Sequence, residues 1–242
     1  MPRVLAVADE VVAALWTESV RAHQVDLVLA AGDLPFDYLD YLASTLNRPC
    51  VFVPGNHDPD LSGFSFSRGM SMRSGLPDTW PGPAGAVNAD GRIVEVAGLR
   101  IAGLGGSARY NRGPNQWTER EQARRARRLR WRAALHRASV DIVVTHAPPR
   151  HCGDREDRAH RGFECLHDLV QALRPRLLVH GHIHPHGQPV PDRQLGHTRQ
   201  LGHTRQLGHT RQLGHTTVVN AVGYRILEVS AVTASTSSTA SR

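Results

Sequence analysis

Five apolar runs of strand length each end in a side chain able to bind a hard or borderline metal. They are RVLAVA at Asp9, DLVLAAG at Asp33, CVFVPG at Asn56, DIVVT at His146, and RLLVHG at His182, with His184 two residues on. Two carboxylates, an amide oxygen and three imidazoles form a mixed oxygen and nitrogen donor set, which suits Mn, Fe or Zn better than Ca or a thiolate-seeking ion. Each residue taken singly has a plainer reading. Asp33 can cap the helix that follows, Asn56 and Asp58 can form turns in PGNHDP, and His146 can be a buried histidine with a satisfied proton. Recurrence at five strand ends favours convergence, because ligands of open α/β sheets bind beyond the carboxyl ends of the strands.

The elements that must position these residues alternate between strand and helix. Between the first two runs, residues 11–21 put Val12, Trp16 and Val20 on one helical face; between the second and third, residues 36–46 place Leu39 and Leu42 three apart. Strand, helix, strand is the order that builds βαβ units. Thr118 and Glu121 form a capping box opening an arginine-rich helix, and Phe163, Leu166, Leu169, Val170 and Leu173 make an apolar stripe that Pro175 closes. Residues 87–105 read as a hairpin, with turn chemistry at Ala89-Asp90-Gly91 and a second turn at Gly98. The expectation is an α/β fold with a partly antiparallel sheet system.

Composition narrows the class. The chain has 242 residues, 40% of them hydrophobic and 21% charged, which fits one globular domain and excludes global disorder. Three cysteines (Cys50, Cys152, Cys165) at no metal-like spacing argue against a disulfide framework and for a reducing interior. The apolar run before Asp9 is too short for a signal peptide and no stretch is long enough to span a bilayer, so the expected address is cytoplasmic. The net charge is +7, all 29 basic residues are arginine, and residues 119–137 hold eight of them against two glutamates. Most of the excess positive charge therefore sits on one predicted helix.

Gly32-Asp33, Gly55-Asn56-His57-Asp58, Thr145-His146-Ala147-Pro148-Pro149 and Gly181-His182-Ile183-His184, in that order, resemble the calcineurin-like metallophosphoesterase family. The resemblance spans Arg3 to about Val229, apart from the repeats described below. It implies a four-layer α/β/β/α sandwich with mixed sheets and the metal site at the C-terminal strand ends. It further implies two divalent ions (Mn, Fe or Zn), one held by Asp33, Asn56, His146 and His182, the other by Asp9, Asp33 and His184. A metal-activated hydroxide would attack phosphorus in line, with His57 as general acid and Asp58 orienting it and holding it cationic. The family's first motif reads D-x-H, whereas here Val11 follows Asp9 and Glu10, which removes an imidazole from the ion held by Asp9, Asp33 and His184 and weakens it. Glu10 is the alternative donor, although adjacent side chains on an extended segment point oppositely.

The reading is therefore a hydrolase of phosphate monoesters or diesters acting on a small substrate. The alternatives are a catalytically impaired metal-binding scaffold for protein interaction, supported by Val11 alone, and a basic nucleic-acid-binding protein, supported by the arginine-rich helix. On that helix Ala123, Ala126, Leu129 and Ala133 form an apolar stripe, so a packed helix with a basic outer face explains the same residues. In the glycine-rich loop 105–117, Arg109 is the candidate phosphate contact. Asp154, Asp157 and His160 follow the THAPP motif by one loop, where they line either an entrance or an ordinary surface. Across residues 193–216 the hexapeptide RQLGHT occurs four times without substitution, which points to tandem duplication and to a solvated loop rather than to metal capture by its histidines. Within a single domain over residues 1–230, that loop is an insertion, and residues 231–242 form a Ser/Thr/Ala-rich tail expected to be disordered.

Overall fold

The computed structural model describes residues 1–67, 69–135, 139–185, 191–199 and 211–229. Each apolar run becomes a strand buried on both faces, which is why the runs are continuous rather than alternating. In Arg3–Ala8, the side chains of Val4, Ala6 and Ala8 turn one way and those of Leu5 and Val7 the other, and all are buried. The first sheet has the order Gly223–Glu228, Arg3–Ala8, Leu27–Ala30, Cys50–Phe52, Ala86–Asn88, antiparallel at its first pair and parallel thereafter. The second runs Arg193–Arg199, Arg211–Asn220, Leu177–His180, Ile142–Thr145, Leu99–Leu104, Ile93–Val96, parallel in the middle and antiparallel at both edges.

The two sheets face each other. Val4, Ala6, Leu27, Leu29 and Val51 of the first meet Ile101, Ile142, Val144, Val179 and Val219 of the second in one buried cluster. The outer face of the first sheet is covered by α1 (Phe36–Leu46) through Tyr38, Leu39 and Leu42. The outer face of the second is covered by α2 (Glu119–Leu135) through Ala126 and Leu129, and by α3 (Cys165–Leu173) through Leu166, Leu169 and Val170. The result is the α/β/β/α sandwich with mixed sheets that the sequence resemblance implies. No helix among the described residues is long and apolar enough to cross a membrane.

Helix α2 starts at the predicted capping box. The Thr118 amide and hydroxyl donate to Glu121 Oε2 at 2.8 and 2.9 Å, and the Glu121 amide donates back to Thr118 Oγ1 at 3.3 Å. Thr118→Ala is expected to cost about 1 kcal/mol of stability, read as a lower urea midpoint at unchanged m-value.

Three expectations need correction. Residues 11–21 do not form one α-helix: Thr17 is extended at φ −143°, and it separates two 3-10 segments, Ala13–Leu15 and Glu18–His23. Burial by Leu15 and Val20 keeps the segment on the sheet, and Trp16 leans on Tyr38 with ring centroids 5.1 Å apart. The expected hairpin over 87–105 is smaller. Only Ile93–Val96 and Leu99–Leu104 pair with each other, while Ala86–Asn88 joins the other sheet beside Cys50–Phe52. The repeats are not simply a loop: the first copy lies in Arg193–Arg199 and the last in Arg211–Asn220, paired antiparallel at the sheet edge. Thr217 to Asn220 pair in turn with Leu177 to His180, so the last copy runs directly into core sheet. The repeat interior at 200–210, its histidines 203 and 209, His136, His186 and the tail at 231–242 lie outside the described residues.

Candidate metal centre

The strand ends converge. Asp9, Asp33, His146 and His182 each offer a donor atom, and these atoms all lie within 4.8 Å of one another. Asn56 joins them through Oδ1, 3.1 Å from His146 Nε2, and Asp33 Oδ2 lies 3.2 Å from the same nitrogen. Three of these residues sit in left-handed backbone, Asp9 at φ 58°, Asp33 at φ 57° and His182 at φ 67°. Each such position costs of order 1–3 kcal/mol, and strain concentrated this way marks functional sites. The approach is close enough to require glycine. At Gly32, with φ 94°, a Cβ would press on the Gly55 backbone and His146 Nδ1; at Gly181 it would run into Asp9 Oδ2.

The three imidazoles share one arrangement. His146 Nδ1 is 2.7 Å from the Ala31 carbonyl, so a proton donated there leaves Nε2 as the lone pair facing Asn56 and Asp33. His182 Nε2 is 2.8 Å from the Ala159 carbonyl, which leaves Nδ1 as its lone pair. His184 Nδ1 is 2.9 Å from Glu10 Oε1, and its Nε2 lies 3.9 Å from Asp9 Oδ1. Histidines that ligate metals are oriented in this manner, the second nitrogen donating to a carbonyl or carboxylate that fixes the tautomer. The donor set is thus one a borderline divalent cation fits.

Electrostatics agree with a site built around a cation. Burial works against charge on His146, but Asp33, by charge and by hydrogen bond, and Asp9 behind it push the imidazole up to about 9. Burial alone would raise Asp33; His146 and the His57 amide, which donates to Asp33 Oδ1 at 2.8 Å, outweigh it and hold the carboxyl below its ordinary value. Asp9 is raised, chiefly by burial. His182 falls to about 3 through burial and then the neighbouring His146 charge. Two buried carboxylates sharing one pocket need positive charge between them, whether a proton on His146 or a metal ion.

Two sequence-predicted roles change. Asp58 does not orient His57: its Oδ2 accepts the amides of Asp33 at 3.0 Å and Gly55 at 2.7 Å, because the GNHD turn folds the carboxylate back under itself. Burial raises its carboxyl to about 6. Arg109 is committed elsewhere, to Glu121 Oε2 at 2.9 Å and the Gln116 carbonyl at 3.2 Å, where it ties its loop to the first turn of α2. His57 is exposed at the surface of the turn.

Tyr110, not Arg109, is the residue of that loop that reaches the cluster, its hydroxyl oxygen accepting from Asn56 Nδ2 at 3.2 Å. Asn115 clamps the GNHD turn, its Nδ2 donating to the carbonyls of Gly55 at 2.9 Å and Asp58 at 3.0 Å. Loop polarity was the sole sequence signal for either. Of the three residues after THAPP, Asp154 pairs with Arg150 and the Gly162 amide, and Asp157 holds His160 Nδ1 at 2.8 Å. The His160 ring lies against His182 with centroids 5.2 Å apart, so it alone borders the cluster directly.

Facing mixed sheets whose strand ends gather two aspartates and two histidines make the layout of a metallophosphoesterase. The chain belongs to the calcineurin-like phosphoesterase family, which it matches over residues 6–186. It is 27% identical over 175 residues to a protein of Haemophilus influenzae described as uncharacterized, covering 65% of this chain and 72% of that one. Its fold resembles the crystal structure of TT1561 of Thermus thermophilus, with a TM-score of 0.53 and 14% identity over 92% of this chain and 89% of that one. A second crystal structure aligns with a TM-score of 0.55 and 15% identity, over 94% of this chain and 95% of the other. At these identities the two structures speak to the fold alone.

Proposed function

We propose that this chain hydrolyses phosphate esters, holding one divalent ion with Asp33, Asn56, His146 and His182 and a second, weaker one with Asp9, Asp33 and His184. The observation that carries the reading is the shared arrangement of the imidazoles, each with one nitrogen held by an oxygen acceptor and the other left for the acidic cluster. Mn, Fe or Zn bound there would polarise a phosphoryl oxygen and supply a nucleophile at neutral pH.

The chain's own residues do the rest. Asp33 belongs to both ligand sets and is the natural bridge, its carboxylate steadied by the His57 amide. Tyr110 fixes the Asn56 amide so that Oδ1 faces inward, beside His146. His57 stands exposed on a turn whose amides are anchored to Asp33 and Asp58, so an exposed side chain is carried on a hydrogen-bonded base. There it can donate a proton to the leaving alkoxide of an incoming ester.

Glu10 takes a supporting part that compensates for Val11. Its carboxylate holds His184 Nδ1 and so aims Nε2 towards Asp9. Glu10→Ala is expected to weaken the second ion by about 10- to 100-fold while leaving the first unchanged, resolved as two phases in a calorimetric Mn²⁺ titration. An unaltered second phase would remove Glu10 from this role.

The function itself is tested by adding Mn²⁺ to chelator-treated protein and following p-nitrophenyl phosphate and bis-p-nitrophenyl phosphate. Metal-dependent release of nitrophenol supports the hydrolase, and the preferred ester gives the substrate class. No release from either ester at any metal concentration overturns it.

A further inference from the structure

Helix α2 carries more positive charge than its own fold uses. Arg125 pairs with Asp90 and Arg132 donates to the Gly91 carbonyl, but Arg120, Arg124, Arg127, Arg128 and Arg130 are exposed and have no ion-pair partner among the described residues. Among the described residues, neither glutamate of the helix forms an ion pair with them. Glu119 accepts the amides of Glu164 and Cys165, and Glu121 serves the capping box and Arg109. At 100° per residue the five arginines fan around Trp131, on the face opposite the buried Gln122, Ala126, Leu129 and Ala133. Trp131 is 67% exposed, an unusual fate for a large ring at the centre of a charged face. Like charges three and four residues apart repel, so the face is costly to maintain unless an anion meets it.

We propose that this face of α2 binds single-stranded nucleic acid, the guanidiniums contacting successive phosphates and Trp131 stacking on an unpaired base. The charge alone would suit any polyanion. The central ring selects a strand whose bases are free to stack, since base–aromatic stacking is available to every base but not to one paired inside a duplex. Trp131, Arg127 and Arg130 also wall a groove against Ala172 and Leu173 of α3, which gives a base an apolar second side. The site is separate from the metal cluster and needs no metal.

Fluorescence anisotropy of a fluorescein-labelled (dT)20 strand, with the full chain in EDTA so that hydrolysis plays no part, tests the proposal. The expected result is binding at 50 mM salt whose log–log salt slope is about −3.5, as five phosphate contacts on a single strand require. Arg124→Gln, Arg127→Gln and Arg128→Gln together should flatten that slope by about 2. Trp131→Ala should weaken binding by about 5- to 150-fold at nearly unchanged slope. A 20-base-pair duplex should bind more weakly than the strand. Each variant replaces exposed side chains that make no hydrogen bond or ion pair among the described residues, and a circular-dichroism melt verifies that it folds. Absence of binding at 50 mM salt, binding indifferent to the triple variant, or equal affinity for duplex and strand with no effect of Trp131→Ala would each overturn the proposal. So would self-association through Trp131 without any oligonucleotide binding, which would make the face an interface between copies.

Discussion

Asp33→Asn is expected to lose at least about 10³-fold in turnover together with most bound metal, because Asp33 is the one carboxylate proposed to serve both ions and metal-assisted charge stabilisation supplies several kcal/mol. Asparagine keeps the shape and can still accept from the His57 amide, which lies 2.8 Å from Asp33 Oδ1. The backbone amide that donates to Asp58 is also retained. The variant should therefore fold, and its circular dichroism should match the parent. It removes one of the two carboxylate charges that raise His146, so the imidazole loses the larger part of its reason to be charged. Metal content by mass spectrometry and turnover should fall together. Loss of turnover with full metal content would place Asp33 outside the ligand set.

His57→Asn separates proton transfer from metal binding. It is expected to reduce turnover by about 10²- to 10⁴-fold with metal content unchanged, the range for removal of a positioned general acid. The substitution leaves the His57 amide in place, so the tie to Asp33 and the geometry of the cluster persist. A substrate with a good leaving group needs less protonation, so the loss should shrink for nitrophenyl esters relative to alkyl esters. Equal losses for both, or a fall in metal content, would contradict the acid role. Because Asp58 bonds to the amides of Asp33 and Gly55 rather than to the His57 ring, Asp58→Asn should act mainly on stability.

The strand ends were legible because burial on both faces leaves an unmistakable uninterrupted apolar run, and the residue that ends it is then conspicuous. RVLAVA, DLVLAAG and DIVVT became strands that deliver Asp9, Asp33 and His146 to one point. Side-chain partners chosen by turn geometry were not legible. The GNHD string names His57 and Asp58 as neighbours, yet left-handed backbone at Asp33 and the fold of the turn hand the Asp58 carboxylate to two amides instead. Nor does loop 105–117 announce that Tyr110 turns inward while Arg109 turns to α2, since both are long polar side chains adjacent in sequence.

Periodicity misled where a short polar residue broke the backbone. Val12, Trp16 and Val20 share a helical face on paper, but Thr17 adopts an extended conformation and the segment closes as two separate turns. The strand Ala86–Asn88 pairs in parallel with Cys50–Phe52 at the edge of the first sheet, a long-range choice that local turn chemistry at Ala89-Asp90-Gly91 does not encode. The polarity of the repeats suggests a solvated loop. Their outer copies pair as strands because the last one continues into Val218 and Val219, whose burial fixes the edge of the second sheet.

A two-ion hydrolytic site is tested by the metal content of the purified protein measured alongside its hydrolysis of bis-p-nitrophenyl phosphate, for the parent chain and for Val11→His. The expected result is one tightly held ion, a second that is lost more readily and is retained better in Val11→His, and turnover in both proteins that rises with occupancy. No bound metal in the parent under saturating Mn²⁺, or full occupancy of both positions without turnover, would contradict it.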